Sequence, residues 1–319
     1  MIEVVALGEL LIDFASKGAD AKGYPLMQAL PGGAPANFLA ALTKYGKSTA
    51  FLGKVGDDTF GHLLLGTLNG AGIETRGIVV DPTVFTTLAF VTFDEKGDRS
   101  FSFARKPGAD TQLCWEEVDK SLIDEAKVFH FGTLSLTDDP ARTTTQKAVA
   151  YAKEQGKLIT YDPNLRKPLW KTEEEAREQI LWGLYQADVV KISDEEVEFL
   201  WNCTPEEGAD KLLNEYGVGL AMVTLGPKGC LLKTANAQRT VPGPKVNPID
   251  TTGAGDIFGG SAVSRLLELN KAISDLTAED LWYIGCFATT AASLSTEFSG
   301  GIPSIRDKET VLERMKELT

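Results

Sequence analysis

The sequence is poor in the residues that build metal, redox and nucleic-acid sites. Of its 319 residues only four are cysteine and two histidine. Cys114, Cys203, Cys230 and Cys286 lie far apart and make no CxxC pair, so they are expected as reduced core thiols of a cytoplasmic protein. His62 and His130 make no HExxH motif, and His130 sits in the apolar run "KVFHFGTL", where a buried, satisfied ring is expected. Positive charge is scarce: 32 Lys and Arg face 45 Asp and Glu, a net charge of -13, with no basic run. That balance excludes sequence-independent nucleic-acid binding, which needs clustered cations. No apolar run is long enough to cross a membrane. The N-terminal "MIEVVALGELLIDF" lacks the basic region and small-residue cleavage site of a signal peptide and reads as a first strand. Repeats, low-complexity tracts and linkers are missing too, so 1–319 is expected to fold as one unit.

What is present is a regular alternation. Hydrophobic residues make up 43% of the chain, enough for a large core. "EVVALGELLIDF" reads as one strand, "APANFLAALTKYG" as a helix ending at Gly46, "TAFLGKVG" as a strand and Asp57 to Ala71 as a helix. Further strands are "KVFHFGTL", "KLITYD", "ADVVKIS" and "GLAMVTLG". Helices are expected between them at about Pro140 to Gln155, Glu173 to Tyr185 and Glu195 to Trp201. Such βαβ alternation argues for an α/β fold with a mainly parallel sheet covered on both faces. Two regions break the pattern. Residues 11–31 and 84–106 look like extended ribbon, and "FTTLAFVTFD", the turn "EKGD" and "RSFSFARK" form a hairpin by turn chemistry. Strands without a covering helix suit a surface hairpin, a lid over a site, or a dimer surface.

The stretch with the most chemistry is "NPIDTTGAGDIFGG", Asn247 to Gly260. It admits a plain turn before a helix, with Gly253 and Gly255 supplying positive φ and Thr252 or Asp256 serving the helix start. A dinucleotide fingerprint is disfavoured, because the preceding "TVPGPKVNP" carries three prolines and no clear strand follows Leu269. The third reading is phosphoryl transfer. Backbone N–H groups of a glycine turn at a helix start cradle an anion, and Asp256 beside them orients an attacking hydroxyl and takes its proton. No GxxxxGK[ST] is present, so a Walker-type ATPase is excluded.

These residues resemble the second signature of the ribokinase-like carbohydrate kinases, the phosphofructokinase-B family. "GGAPANFLAALTKYG" from Gly32 resembles the first signature, and "VGDDTFG", "YDPNLRKPLW", "KISDEEVEFL" and "VTLGPKG" follow in family order. "GGAPAN", "FHFGTLSL" and "DPNLRKPLW" are most similar to bacterial fructokinases within the family. The resemblance implies a ribokinase-like fold: a large α/β domain with a small β-sheet lid, often paired as a homodimer through the lid. It implies ATP-dependent transfer to a sugar hydroxyl, fructose first and 2-keto-3-deoxygluconate as the rival acceptor. By the resemblance, Gly253, Ala254 and Gly255 form the anion hole and Asp256 the base. Asp13, Gly32, Gly33 and Asn37 hold sugar hydroxyls, Phe103 and Arg105 close over the sugar, and Arg166 faces the acceptor or the transferring phosphate. Lys191, Ser193, Thr224, Gly226 and Gly229 serve ATP. Glu196 supports Mg²⁺ through water, although Ser193 stands where many members have Asn. Asp250, Thr252, Gly300 and Ser304 match a monovalent-cation (K⁺) loop.

Overall fold

The computed structural model describes residues 2–93 and 99–318. The chain opens with β1 (Val4–Leu7), β2 (Leu11–Ala19) and β3 (Pro25–Gly32), then α1 (Ala34–Lys44), β4 (Thr49–Gly56), α2 (Thr59–Gly70) and β5 (Ile78–Asp81). A hairpin of β6 (Leu88–Phe93) and β7 (Arg99–Ala104) precedes α3 (Lys120–Glu125), β8 (Val128–Gly132), α4 (Ala141–Glu154) and β9 (Leu158–Asp162). There follow α5 (Glu173–Gln186), β10 (Val189–Ser193), α6 (Asp194–Trp201), α7 (Pro205–Tyr216), β11 (Leu220–Thr224), β12 (Gly229–Lys233) and β13 (Gln238–Pro242). Helices α8 (Ala254–Leu269), α9 (Ala278–Ser295) and α10 (Lys308–Met315) close the chain.

The large sheet has the order β13-β12-β11-β10-β9-β8-β1-β4-β5. It is parallel from β11 through β5, and β12 and β13 add antiparallel. Its central strands are mostly apolar because both faces are covered: every residue of β1, β4 and β8 is buried, the polar Lys54 and His130 included. Helices α3 to α7 pack on one face, around Phe129, Phe131 and Tyr161. Helices α1, α2, α8, α9 and α10 cover the other, around Phe38, Phe51 and Phe287. The proline-bearing stretch before the glycine turn begins in the edge strand β13, which ends at Pro242, and continues as coil through Pro244 and Pro248; an edge tolerates the missing donor at Pro242.

The ribbon regions form a separate four-stranded sheet, β3-β2-β6-β7. β2 pairs antiparallel with β3 and parallel with β6, and β6 pairs antiparallel with β7. The "EKGD" turn lies outside the described residues. The expected single first strand is two. The chain leaves the large sheet after Leu7, and Glu9 turns inward to accept the Ala34 amide before β2 enters the small sheet. Helices α7 and α9, which the pattern did not reveal, are both full elements; most of the 18 residues of α9 are buried.

Candidate active site

The parallel strands deliver polar side chains at their carboxyl ends, where open α/β sheets bind ligands. β9 ends at Asp162, β10 carries Lys191 and ends at Ser193, and β11 ends at Thr224. Opposite them stand the start of α1, the small sheet and the glycine turn before α8. Between these elements lies a cavity of ≈ 280 Å³, lined by Asp13, Gly33, Asn37, Phe103, Arg166, Lys191, Ser193, Glu196 and Asp256 among others. A second, more apolar cavity of ≈ 740 Å³ lies beside it, lined by Gly226, Pro227, Gly229, Phe258 and Thr289 among others. The two share Thr224, Thr251 and Gly255, so they meet at the glycine turn.

That turn is built for close approach. Gly253 caps α8 at φ +77, and no side chain caps the helix. The first-turn amides of a helix have no intrahelical partner, so an uncapped first turn offers them, with the positive end of the helix dipole, to an anion. A Cβ at Gly253 would lie 3.0 Å from Gly301 Cα and 3.1 Å from Asn37 Nδ2; one at Gly255 would lie 2.9 Å from Lys191 Nζ. Lys191 Nζ donates to Asp162 at 3.0 and 3.2 Å. Burial works against its cation, but Asp162, Glu196 and Asp256 around it hold its pKa above the ordinary lysine value. The ammonium therefore stays charged beside the turn.

Asp256 sits in the first turn of α8, 9% exposed, and its Oδ2 accepts a 2.9 Å hydrogen bond from Asn37 Nδ2. Burial raises its pKa, opposed by Asn37, Lys191 and Arg166. Asp13, on β2, is pushed up to about 6 by burial, partly offset by Arg166. Gly32 and Gly33 have steric reasons: a Cβ at Gly32 would meet the Asp13 carboxylate, and one at Gly33 the Glu9 carbonyl.

Most of the expected site residues come together here, with specific differences. Arg105 does not reach the cavity. It is 6% exposed, and its guanidinium donates to Asp110 Oδ2 at 2.7 and 2.8 Å, to Thr137 Oγ1 at 2.7 Å and to the Leu134 carbonyl at 2.7 Å. Asp110 also accepts from Thr87, so one carboxylate ties both feet of the β6–β7 hairpin to the main body. Ser193 serves as the N-cap of α6. Its Oγ accepts the Glu196 amide at 3.2 Å, while Glu196 Oε2 accepts the Ser193 amide at 2.9 Å and Oε1 the Leu165 amide at 2.8 Å. Glu196 is thus buried and fixed at the cavity wall. Asp250 joins two loops, accepting from the amides of Thr252 at 2.9 Å and Gly300 at 3.0 Å. Ser304 Oγ donates to the Gly301 carbonyl at 2.7 Å. Gly226 and Gly229 line the second cavity rather than the first.

Sequence reasoning missed Glu9, Asp162 and Asn164. Glu9 is 2% exposed, lines the sugar-sized cavity and is pushed up to about 7 by burial. A carboxylate inside the apolar "VALGELL" was its available signal. Asp162 and Asn164 stand in the same "DPNLR" run as Arg166. His130 is a core residue as expected, stacked on Phe38 at 3.7 Å and bonded to Thr160. All four cysteines are free thiols, Cys230 and Cys286 buried. Among the described residues, no group of three or more His, Cys, Asp or Glu could hold a metal ion, and no helix is long and apolar enough to cross a membrane.

A mainly parallel α/β sheet with a small second sheet, and two cavities meeting at an uncapped glycine turn and a buried carboxylate, define the ribokinase-like class of phosphotransferases. The comparisons carry this to a family. Residues 1–308 match the model of the pfkB family carbohydrate kinases. Fructokinase-2 of Solanum lycopersicum is 41% identical over 319 residues, covering 98% of this chain and 96% of its own. A fructokinase of Xylella fastidiosa with bound ATP superposes with TM-score 0.90 at 29% identity, covering 99% of both chains. A double mutant of the fructokinase of Vibrio cholerae O395, in a form with fructose, ADP and potassium ion, superposes with TM-score 0.87 at 32% identity, over 99% of this chain and 98% of that one. The chain belongs to the pfkB family; it is a carbohydrate kinase with a ribokinase-like fold.

Proposed function

We propose that the protein transfers the γ-phosphoryl group of ATP to a hydroxyl of fructose, with Asp256 as the base. The observation that carries this reading is the position of Asp256: buried, in the uncapped first turn of α8, where a small polar cavity meets a larger apolar one. The small cavity suits the sugar, whose hydroxyls Asp13 and the "GGAPAN" loop would engage. The larger one suits a nucleoside, and the phosphates would cross at the glycine turn. Asp256 then orients the attacking hydroxyl and accepts its proton. The amides of the turn, with Lys191 and Arg166, stabilise charge spread over the phosphoryl oxygens. Mg²⁺ bound with the nucleotide would neutralise phosphate charge, with Glu196 on the wall to order its waters. The loops tied by Asp250 would hold a monovalent cation through backbone carbonyls.

Fructose is favoured over a sugar acid by the fate of Arg105. Of the two arginines that could grip a carboxylate, this one is committed to Asp110. The names of the relatives support the same acceptor. Phosphorylation assays with ATP and fructose, 2-keto-3-deoxygluconate, ribose or fructose 6-phosphate test the reading: highest kcat/KM on fructose supports it, and highest kcat/KM on the sugar acid replaces it. We also propose a cytoplasmic homodimer paired through the lid sheet, where Tyr24 and Leu26 are 67% and 48% exposed. A monomer in sedimentation at micromolar concentration would contradict that pairing.

A further inference from the structure

Asn37 is expected from its motif to hold a sugar hydroxyl, yet its amide is already engaged. Nδ2 donates to Asp256 Oδ2 at 2.9 Å, across 219 residues of sequence, joining α1 to α8. Asn37 is 3% exposed and Asp256 9%. The amide is also walled in: Gly253 and Gly301 both lie so close that a Cβ on either would press on it. Oδ1 is buried beside Gly301 without a hydrogen-bond partner. The side chain therefore has one settled geometry, and that geometry is spent on the carboxylate.

We propose that Asn37 is a positioning residue for Asp256: it fixes which carboxylate oxygen faces the acceptor hydroxyl and keeps that carboxylate ionised. This rests on the reading of Asp256 as the base. The chemistry is direct. An amide nitrogen can only donate, and it donates more strongly to the ionised carboxylate than to the neutral acid, so the bond favours ionisation. Oδ2 is taken, which leaves Oδ1 to receive the proton. The charged groups facing Asp256 from other elements are Lys191 on β10, Arg166 after β9, Glu196 on α6, Asp162 at the end of β9 and Asp13 on β2. Two are cations and three are carboxylates, so they pull the ionisation both ways. Asn37 is the neutral group that donates directly to the carboxylate.

The test uses the full chain with Asn37→Ser, Asn37→Asp and Asp256→Asn, and the double variant Asn37→Ser with Asp256→Asn. At saturating ATP and fructose, Asn37→Ser should lower kcat about 10- to 100-fold, as misplacement of a reacting group does, with KM for fructose changed little. The acid limb of its kcat–pH profile should move to higher pH. Asn37→Asp should move it further, by about one pH unit or more, because two adjacent carboxylates disfavour joint ionisation. In the Asp256→Asn background, Asn37→Ser should cost almost nothing more, since residues acting as a unit are non-additive. If Asn37→Ser instead raises KM for fructose, leaves the acid limb in place and adds in full to Asp256→Asn, Asn37 holds sugar and the proposal fails while the base stands. Near-normal turnover of Asp256→Asn would remove the base and the role of Asn37 with it. Should Asn37→Asp melt far below wild type, the Asn37→Ser profile and the double-variant comparison decide alone.

Discussion

Asp13 shows how a single carboxylate can serve binding at the expense of stability. Its pKa is pushed up to about 6 by burial, so ionising it in the folded protein costs more than in the unfolded chain. Its stabilising contribution is then fully present below its unfolded pKa, about 4, and is lost as pH rises through about 6. Asp13→Asn should therefore raise the melting temperature at pH 8 and leave it near wild type at pH 4. The same variant should weaken fructose binding at pH 8, and wild-type kcat/KM for fructose should fall as pH drops through about 6. An unchanged melting temperature at pH 8 would mean that Asp13 carries no such penalty. Arg105 presents the opposite case. Removing it leaves the buried Asp110 carboxylate unpaired, and breaking a buried pair this way costs about 3–5 kcal/mol. Chemical denaturation of Arg105→Ala should show a loss of that order, and a loss under about 1 kcal/mol would contradict the buried network. Residue placement was legible where a motif confined it, since Asp256, Lys191 and Gly253 line one cavity. It was illegible for Arg105, whose partner Asp110 lies in a loop without periodicity, and for Glu9, hidden in an apolar run.

At the scale of elements, burial alone did not decide what could be read: the mostly buried α1 was read from its pattern, while α7, which buries a single apolar stripe, was not. α4 announces itself by period, whereas α9 is buried on most sides and has little polar face to set a rhythm. The break between β1 and β2 was hidden for a similar reason, since both sides of it are apolar. The small sheet was legible because extended ribbons without intervening helices cannot join a parallel sheet. Its feet are tied to the main body through Thr87, Asp110 and Arg105, so closure over a sugar, if it occurs, belongs to the strands beyond them. Fructose should slow amide exchange in β2, β6 and β7 while leaving β8 to β11 unchanged; equal exchange with and without sugar would contradict a closing lid. Gly253 belongs to this scale too. At φ +77 and 3.0 Å from Gly301 Cα, an alanine would strain the turn that starts α8. Gly253→Ala should lower turnover at least tenfold, as loss of a transition-state donor does, and normal turnover would show that the turn does not cradle the phosphoryl group.

In the whole molecule, a doubly covered, mainly parallel sheet and a small second sheet bring two cavities together at one carboxylate. Everything distinctive in the arrangement converges on Asp256: the uncapped helix start, the Lys191 cation, the Asn37 bond and the sugar-sized space. The most direct measurement is turnover, ATP affinity and thermal melting on one preparation of Asp256→Asn. Asparagine keeps the shape, and its amide oxygen can still accept from Asn37, but it cannot take the hydroxyl proton. Turnover should fall by about 10²- to 10⁴-fold, the usual worth of a general base, with ATP affinity and melting temperature close to wild type. If Asp256 only helps start the helix, asparagine should serve nearly as well, and near-normal turnover in a stable variant would contradict the account.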